Sequence, residues 1–257
     1  GKLVSTGTEN TIIGGLAGDA LTTGIRNVAV GFGALSTEDA NSYNTAVGTY
    51  ALEKLNAGAD AYNVAVGYKA GVEMTTGVQN VLIGGLAGDA LTIGNKNIAI
   101  GHEALSGSVD GDGNVAIGHT SMRVYEGGDG DGFNTAVGYQ TGYALSTGQA
   151  NVLLGADAGQ ALTTGNSNVA VGYQALKTET AYSGNTAVGR EALETLDAGV
   201  DAYNVAVGHQ AGHVMSTGVR NTLIGGGYAG AALTTGSYNV AVGYGALQSE
   251  DAHGLNT

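Results

Sequence analysis

One five-residue pattern of polar and apolar positions recurs along the whole chain. It consists of Asn, a β-branched residue, a small or aliphatic residue, a second aliphatic residue and Gly, as in residues 168–172. This alternation predicts a short β-strand with its second and fourth side chains on one face and the Asn and middle residue on the other. We expect the second and fourth side chains to face the core. The copies begin at Asn10, Asn27, Asn44, Asn63, Asn80, Asn97, Asn114, Asn134, Asn151, Asn168, Asn185, Asn204, Asn221 and Asn239.

The spacing of these copies predicts the fold class. Successive copies start 17 to 20 residues apart, and 17 is the commonest interval. Such self-similarity marks a solenoid, in which each unit contacts its neighbours. The sequence therefore predicts a mainly β protein, with residues 1–257 as a single repeat array: a parallel β-solenoid of about fourteen 17-residue coils with one short strand per coil. At ~4.8 Å per coil the array would be a rod of roughly 65–70 Å.

A longer period is superimposed on the short one. The middle strand position is large in every fourth copy and Ala in the others. Four coils thus form a higher-order unit of about 70 residues. The large residues are Ile12, Leu82, Leu153 and Leu223.

The sequence predicts the conformation of the rest of each coil less clearly. Gly ends every strand pattern, which indicates either a turn with positive φ or a close approach with no room for a Cβ. In the following segment, Ala192, Leu193 and Leu196 have the spacing of a short helical turn. Gly18 and Gly71 in the same segment of other coils argue against a helix, so both conformations remain open.

The repeated Asn residues predict a ladder inside the solenoid. An Asn amide at a corner can donate to the coil on one side and accept from the coil on the other. A scaffold role explains fourteen repeated amides better than fourteen ligand sites. Representative ladder residues are Asn27, Asn63, Asn97, Asn168, Asn204 and Asn239.

Composition narrows the possible partners. The chain has 47 Gly and no Pro, which favours stacked strands over a disordered low-complexity chain. It has no Cys, so thiolate metal sites and disulfides are excluded. The net charge of −13 disfavours nucleic acid and anionic membranes as partners, and no apolar run approaches the ~18 residues needed for membrane insertion.

The residue after the strand Gly is often aromatic or His. In register, these side chains would form one row, which we call the aromatic column, and stacking rings are suited to sugars. The alternative is that the rings cover the Gly turn or pack between chains. A second set precedes the strand Asn, and for it we expect packing: Tyr43, Tyr62, Phe133, Tyr203 and Tyr238. The column, our candidate receptor-binding site, comprises Phe32, Tyr68, His102, His119, Tyr139, Tyr173, His209 and Tyr244.

Two other patterns are candidate ligand sites. Carboxylates in Gly-rich loops can bind Ca²⁺ through oxygen, and solvated turns are the alternative here. Paired Thr residues in about half the repeats suggest a weaker alternative, an ice-binding surface. The candidate Ca²⁺ ligands are Asp110, Asp112, Asp129 and Asp131, and the Thr pairs begin at Thr22, Thr75, Thr163 and Thr234.

Signatures of catalysis are lacking. The five His residues show no metal-ligand spacing, and no phosphate-loop or nucleophile-elbow pattern occurs. We therefore expect a non-enzyme with no cofactor apart from the candidate Ca²⁺.

Segments such as residues 168–176 (NVAVGYQAL) and 185–193 (NTAVGREAL) resemble repeats of bacteriophage tail fibres. They are also similar to the Val-Ala-Ile-Gly repeats in the heads of trimeric autotransporter adhesins. The resemblance implies a trimeric, elongated attachment protein, located extracellularly, at a cell surface or on a virion, that forms the shaft or head of a fibre and binds a glycan or protein receptor. The alternative from the residues is a structural subunit that joins end to end into a filament.

Overall fold

The computed structural model describes residues 3–127 and 131–256, which fold as a parallel β-solenoid, as predicted. The chain divides into two compact units, residues 1–132 and 133–257. The first contains β1 (Thr11–Ile13), β2 (Val28–Val30), β3 (Thr45–Val47), β4 (Val64–Val66), β5 (Val81–Ile83), β6 (Ile98–Ile100) and β7 (Val115–Ile117). The second contains β8 (Thr135–Val137), β9 (Val152–Leu154), β10 (Val169–Val171), β11 (Thr186–Val188), β12 (Val205–Val207), β13 (Thr222–Ile224) and β14 (Val240–Val242).

Within each unit, every strand pairs in parallel with the next one in sequence. The register places equivalent repeat positions side by side, as in Val28 opposite Thr45 and Val169 opposite Thr186. Equivalent positions of successive coils therefore form straight columns. Among the described residues, no helix is long and apolar enough to cross a membrane.

The strand faces are the reverse of our prediction. In β10, Ala170 and the preceding Asn168 are fully buried, whereas Val169 and Val171 are only partly buried. The reason is the narrow interior of a short coil, in which small Ala and hydrogen-bonded Asn fit beside the leucines of the turn segment. Branched side chains at the second and fourth positions consequently point outward.

The Gly that ends each strand has the positive φ proposed from the sequence, and at Gly31 and most of its equivalents, though not at Gly243, it also has the close approach. All fourteen of these glycines have φ between 117° and 159°, a region that L-residues rarely adopt. A Cβ on Gly31 would also lie 2.5 Å from the carbonyl oxygen of Gly48 in the next coil. The positive φ and the close stacking of coils both require glycine.

The segment after this Gly forms turns instead of a helix. The N–H of Ala34 donates to Gly31 O in its own coil (3.4 Å), but the N–H of Leu35 donates to Ala51 O in the next coil (3.0 Å). Since these donors serve the neighbouring coil, a helical ladder within the coil is not formed. The segment contains leucines in the left-handed region, including Leu35, Leu52, Leu105, Leu176 and Leu193.

The Asn ladder predicted from the sequence is present. The Oδ1 of Asn168 accepts the N–H of Asn185 (2.9 Å), and its Nδ2 donates to Tyr182 O (2.9 Å) in the turn leading into that coil. At Asn168 both of these bonds go to the following coil. At Asn97 the predicted two-sided arrangement is found, because its Nδ2 also donates to Asn80 Oδ1 in the preceding coil (3.2 Å). The same pair of bonds occurs at Asn27, Asn63, Asn97, Asn204 and Asn239.

The two 19-residue coils interrupt the second of these bonds. They begin at Asn44 and Asn185, and the Nδ2 of Asn185 is buried without a hydrogen-bond partner. The Nδ2 of Asn44 reaches only Ser42 O behind it, at 3.4 Å. We infer that the two additional residues move the accepting carbonyl away from the ladder.

Candidate functional site

The structure places all eight members of the aromatic column on the surface. Each directly follows a strand-ending Gly, so the in-register pairing aligns them in one row within each unit. The Phe and Tyr members are 45% to 78% exposed, which leaves ring surface available to a partner. The row is interrupted by other residues, namely Gly15, Thr49, Gly85, Ala156, Arg190 and Gly226.

Neighbouring members of the column contact one another. The rings of His102 and His119 stack with their centroids 5.4 Å apart and their planes at 16°. The Arg190 guanidinium lies 5.9 Å from the centroid of Tyr173, and its Nη1 is 3.4 Å from His209 Nε2. At these two places the column combines π surfaces with a stacked neighbour or a cation, an arrangement suited to flat or hydroxyl-rich ligands.

The aromatic residues before the strand Asn are more exposed than we expected. Tyr62, Phe133, Tyr203 and Tyr238 are each about half exposed. Tyr43 is partly buried because its ring stacks on Tyr62, with centroids 4.8 Å apart. Packing within the chain is thus limited to contacts between adjacent coils.

The outward strand face comprises the second and fourth side chains of the strands. All are Val, Ile, Leu or Thr, and none of the strand residues is charged. Several side chains are more than one-third exposed, including Ile13, Ile83, Ile224 and Val242. Each unit therefore presents an uncharged, β-branched surface to its surroundings.

The candidate Ca²⁺ ligands are only partly covered by the structure. Asp129 lies outside the described residues. Asp112 and Asp131 are opposite each other in an isolated parallel bridge, and Asp112 Oδ1 accepts the N–H of Asn95. The described carboxylates Asp110, Asp112 and Asp131 do not bring three oxygens within 4.8 Å of one another. The Ca²⁺ site thus has no geometric support among these three.

The first Thr of each predicted pair is used to join coils. The hydroxyls of Thr22, Thr75, Thr163 and Thr234 each donate to a carbonyl oxygen in the next coil, at distances from 2.7 to 3.4 Å. Each of these hydroxyls therefore already has a hydrogen-bond acceptor within the protein. Of the Thr pairs considered for ice binding, only the second hydroxyl of each pair is left for a surface role.

A polar cavity of about 390 Å³ lies beside the columns of the first unit. Its lining includes Asp89, Glu103, Ser106 and Arg123, with Arg123 Nε 2.7 Å from Glu103 Oε2. Burial raises the pKa of Asp89, and the charge of Glu103 adds to this effect. The cavity exists because Ser106 is short where Asp89 and Arg123, at the equivalent positions of adjacent coils, are longer.

The structure also brings together three residues that the sequence analysis did not select. Glu191, Glu194 and His213 each place one potential metal-ligating atom within 4.8 Å of the others. Glu194 and His213 occupy the same position in consecutive coils, 19 residues apart, so coil stacking makes them neighbours. In a solenoid the relevant ligand spacing is the coil length, a signal that motif searches for short spacings miss.

Two buried carboxyls were also missed. Glu38 and Glu179 are fully buried, each eleven residues after a strand Asn, in a column otherwise occupied mainly by Leu and Met. Because they interrupt a hydrophobic column, a comparison of equivalent coil positions would have found them.

No protein-family model, curated protein or solved structure matches the chain.

Proposed function

We propose that the chain is a structural and attachment protein, a segment of the shaft or head of an extracellular or virion fibre. The observation that carries this proposal is the outward strand face, which is repeated from coil to coil in both units. An apolar surface of this regularity favours association with other chains. The resemblance to phage tail fibres and adhesin heads indicates three chains per fibre.

The partner that best fits the outward strand face is another copy of the chain. Its side chains recur at the coil spacing, and a second copy of the chain carries side chains at the same spacing. The strands contain no charged residue, so their contact would bury no charge. With ~4.8 Å between strands, the seven strands of one unit cover roughly 30 Å by 10 Å. This strip of about 300 Å² is comparable to the interaction patches of soluble proteins.

Self-association is tested by introducing charge at outward positions. The double substitution Val64→Asp/Val169→Asp places one carboxylate on each unit and should reduce the mass measured by light scattering to that of one chain. Small-angle X-ray scattering on the same samples should show an elongated particle for the unaltered chain. The matched control is Val64→Thr/Val169→Thr, because Thr45 and Thr186 occupy this position in adjacent strands.

The possible outcomes separate the alternatives. A mass near three chains that is lost only in the Asp variant supports the fibre. A mass that grows without limit with concentration supports the end-to-end filament. A single-chain mass for the unaltered protein at high concentration contradicts both.

For receptor attachment, we propose that the aromatic column binds surface glycans. Its rings are exposed and flanked by the basic groups of Lys69 and Arg190, which can donate to sugar hydroxyls. Tyr139→Thr/Tyr173→Thr should reduce binding on a glycan array at least tenfold while the fold is retained, because Thr49 occupies the same position.

The matched control for this experiment is Tyr203→Thr, which removes an exposed ring outside the column. Equal binding by the column variant and the unaltered chain would show that the column is not the receptor site. Binding lost equally in the control would point to a general loss of structure or avidity.

A further inference from the structure

We propose that Glu191, Glu194 and His213 form a binding site for one Zn²⁺ ion. Two carboxylate oxygens and an imidazole nitrogen are ligands that zinc accepts, and the three atoms already lie within 4.8 Å of one another. The site belongs wholly to the second unit. It is independent of the attachment proposal, and either can fail without the other.

The three side chains are partly exposed to solvent, as in metal sites that keep a coordination position free for a further ligand. The side chain of Glu191 is 10% exposed, and those of Glu194 and His213 are 19% and 35% exposed. Three protein ligands would leave at least one position of a tetrahedral zinc ion for water or a ligand group. The site lies beside Arg190 of the row that also contains Tyr173 and His209.

The contact between His213 and Glu194 brings two potential ligand atoms together. His213 Nδ1 is 3.0 Å from Glu194 Oε2, yet this nitrogen is buried and makes no hydrogen bond. A buried ring nitrogen without a hydrogen bond is costly unless another group satisfies it. A metal ion between the nitrogen and the carboxylate would satisfy both.

The Glu191 carboxylate is held ready for coordination. Its Oε2 accepts a hydrogen bond from Gln210 Nε2 (2.7 Å), and its Oε1 pairs with the Arg190 guanidinium. These two contacts hold the carboxylate in place beside Glu194 and His213.

The chain contains its own comparison for this site. The coils that begin at Asn44 and Asn63 correspond to those at Asn185 and Asn204, with the same 19-residue spacing. Leu52 N–Ala70 O (3.0 Å) matches Leu193 N–Ala211 O (3.1 Å). The equivalent residues are Tyr50, Glu53 and Val72, so this backbone forms without the complete cluster. Folding therefore does not explain why Glu191 and His213 are present.

Calorimetric titration of the full chain with Zn²⁺ tests the proposal. We expect one ion per chain with a Kd in the micromolar range or tighter, together with a higher Tm in excess zinc. His213→Val and Glu191→Tyr should each weaken binding at least tenfold and abolish the rise in Tm. Both substitutions install the residue found in the equivalent coil, so the fold should be preserved.

The control variant is His119→Ala, which removes one ring of the stacked pair at His102 and could reveal a different zinc site. Retention of binding in this variant, with loss in His213→Val, supports the assignment. Unchanged stoichiometry and affinity in His213→Val overturns it.

A gain-of-site variant tests whether the three positions are sufficient. Tyr50→Glu/Lys69→Gln/Val72→His reproduces the cluster around Glu53, and Lys69→Gln supplies the counterpart of Gln210. A second equivalent of bound Zn²⁺ supports the proposal. A folded variant that binds only one ion overturns the claim that these positions suffice.

Discussion

At the scale of single residues, Glu179 combines complete burial with a carboxyl group. Its Oε1 accepts N–H bonds from Thr180 (3.1 Å) and Tyr182 (3.3 Å), whereas Oε2 is buried without a partner. Burial raises the pKa of Glu179 to about 7, and the charge of Asp197 acts in the same direction against the backbone bonds. Leu162 and Leu196 hold the same position in the adjoining coils.

This shift predicts a stability that falls as the pH rises. With a pKa of about 7 in the folded state and 4.5 ordinarily, the folded chain binds more protons between these values. The contribution of Glu179 is complete below about pH 4.5 and is lost as the pH passes through 7. We expect Glu179→Gln to remove a decline of roughly 2–3 kcal/mol in unfolding free energy, measured by denaturant titration from pH 5 to 8.

Two further variants complete the pH experiment. Burial also raises the pKa of Glu38, so Glu38→Gln/Glu179→Gln should flatten the pH profile further. Asp60→Asn, which removes the charge of an exposed carboxyl, is the control for the change in net charge. A profile that keeps its full slope in the Glu179→Gln variant would contradict our account of this residue.

At the scale of one coil, large and small residues compensate each other. The coils with a large middle strand residue have Gly at the position where the following coil has Leu. A Cβ on Gly88 would lie 2.9 Å from Leu82 Cδ2, whereas the next coil combines Ala99 with Leu105. The same close pairing occurs between Gly159 and Leu153. In these pairs of consecutive coils, the large interior residue is therefore supplied by the strand in one coil and by the turn segment in the next.

This exchange predicts that substitutions at Leu82 and Gly88 have strongly coupled effects on the free energy of unfolding. Leu82→Ala leaves a cavity and should cost about 2–4 kcal/mol, and Gly88→Leu should cost at least 1–3 kcal/mol through overpacking. The double variant reproduces the arrangement at Ala99 and Leu105, and Gly88 and Leu105 share φ values of 55° and 53°. We expect it to recover more than half of the summed loss.

Thermal and denaturant unfolding of both single variants and the double variant gives the coupling energy directly. Additive losses would show that the two side chains do not share one space. The matched control is Leu82→Ala with Val30→Thr, a pair without a shared interior volume, for which additivity is expected.

At the scale of the whole molecule, periodicity made the architecture predictable. A repeated strand pattern with fixed spacing specifies parallel stacking, and the roles of Gly31 and Asn168 followed from it. The strand faces were not predictable from alternation alone, because a pattern with period two does not say which face is inside. Val169 is larger and more hydrophobic than Ala170, yet Ala170 is the buried residue because the interior of the coil is narrow.

The candidate sites were predictable to different degrees. The alignment of Tyr173 with the other members of the aromatic column could be predicted from the repeat spacing alone, because that spacing sets the register of the coils. The Glu191 cluster depended on side-chain directions and on the stacking of coils of unequal length, neither of which appears in a linear motif. The pKa of Glu179 likewise depends on its surroundings in three dimensions.

The bonds that the Asn side chains make to the following coil have a consequence for biosynthesis. The amide of Asn168 is satisfied by the backbone of residues 182 and 185, which leave the ribosome after it. The Asn side chain of a nascent coil therefore bonds to water until the following coil has been translated. We expect folding of the emerging chain to be completed one coil at a time toward the C-terminus, with each new coil satisfying the Asn side chain of the one before it.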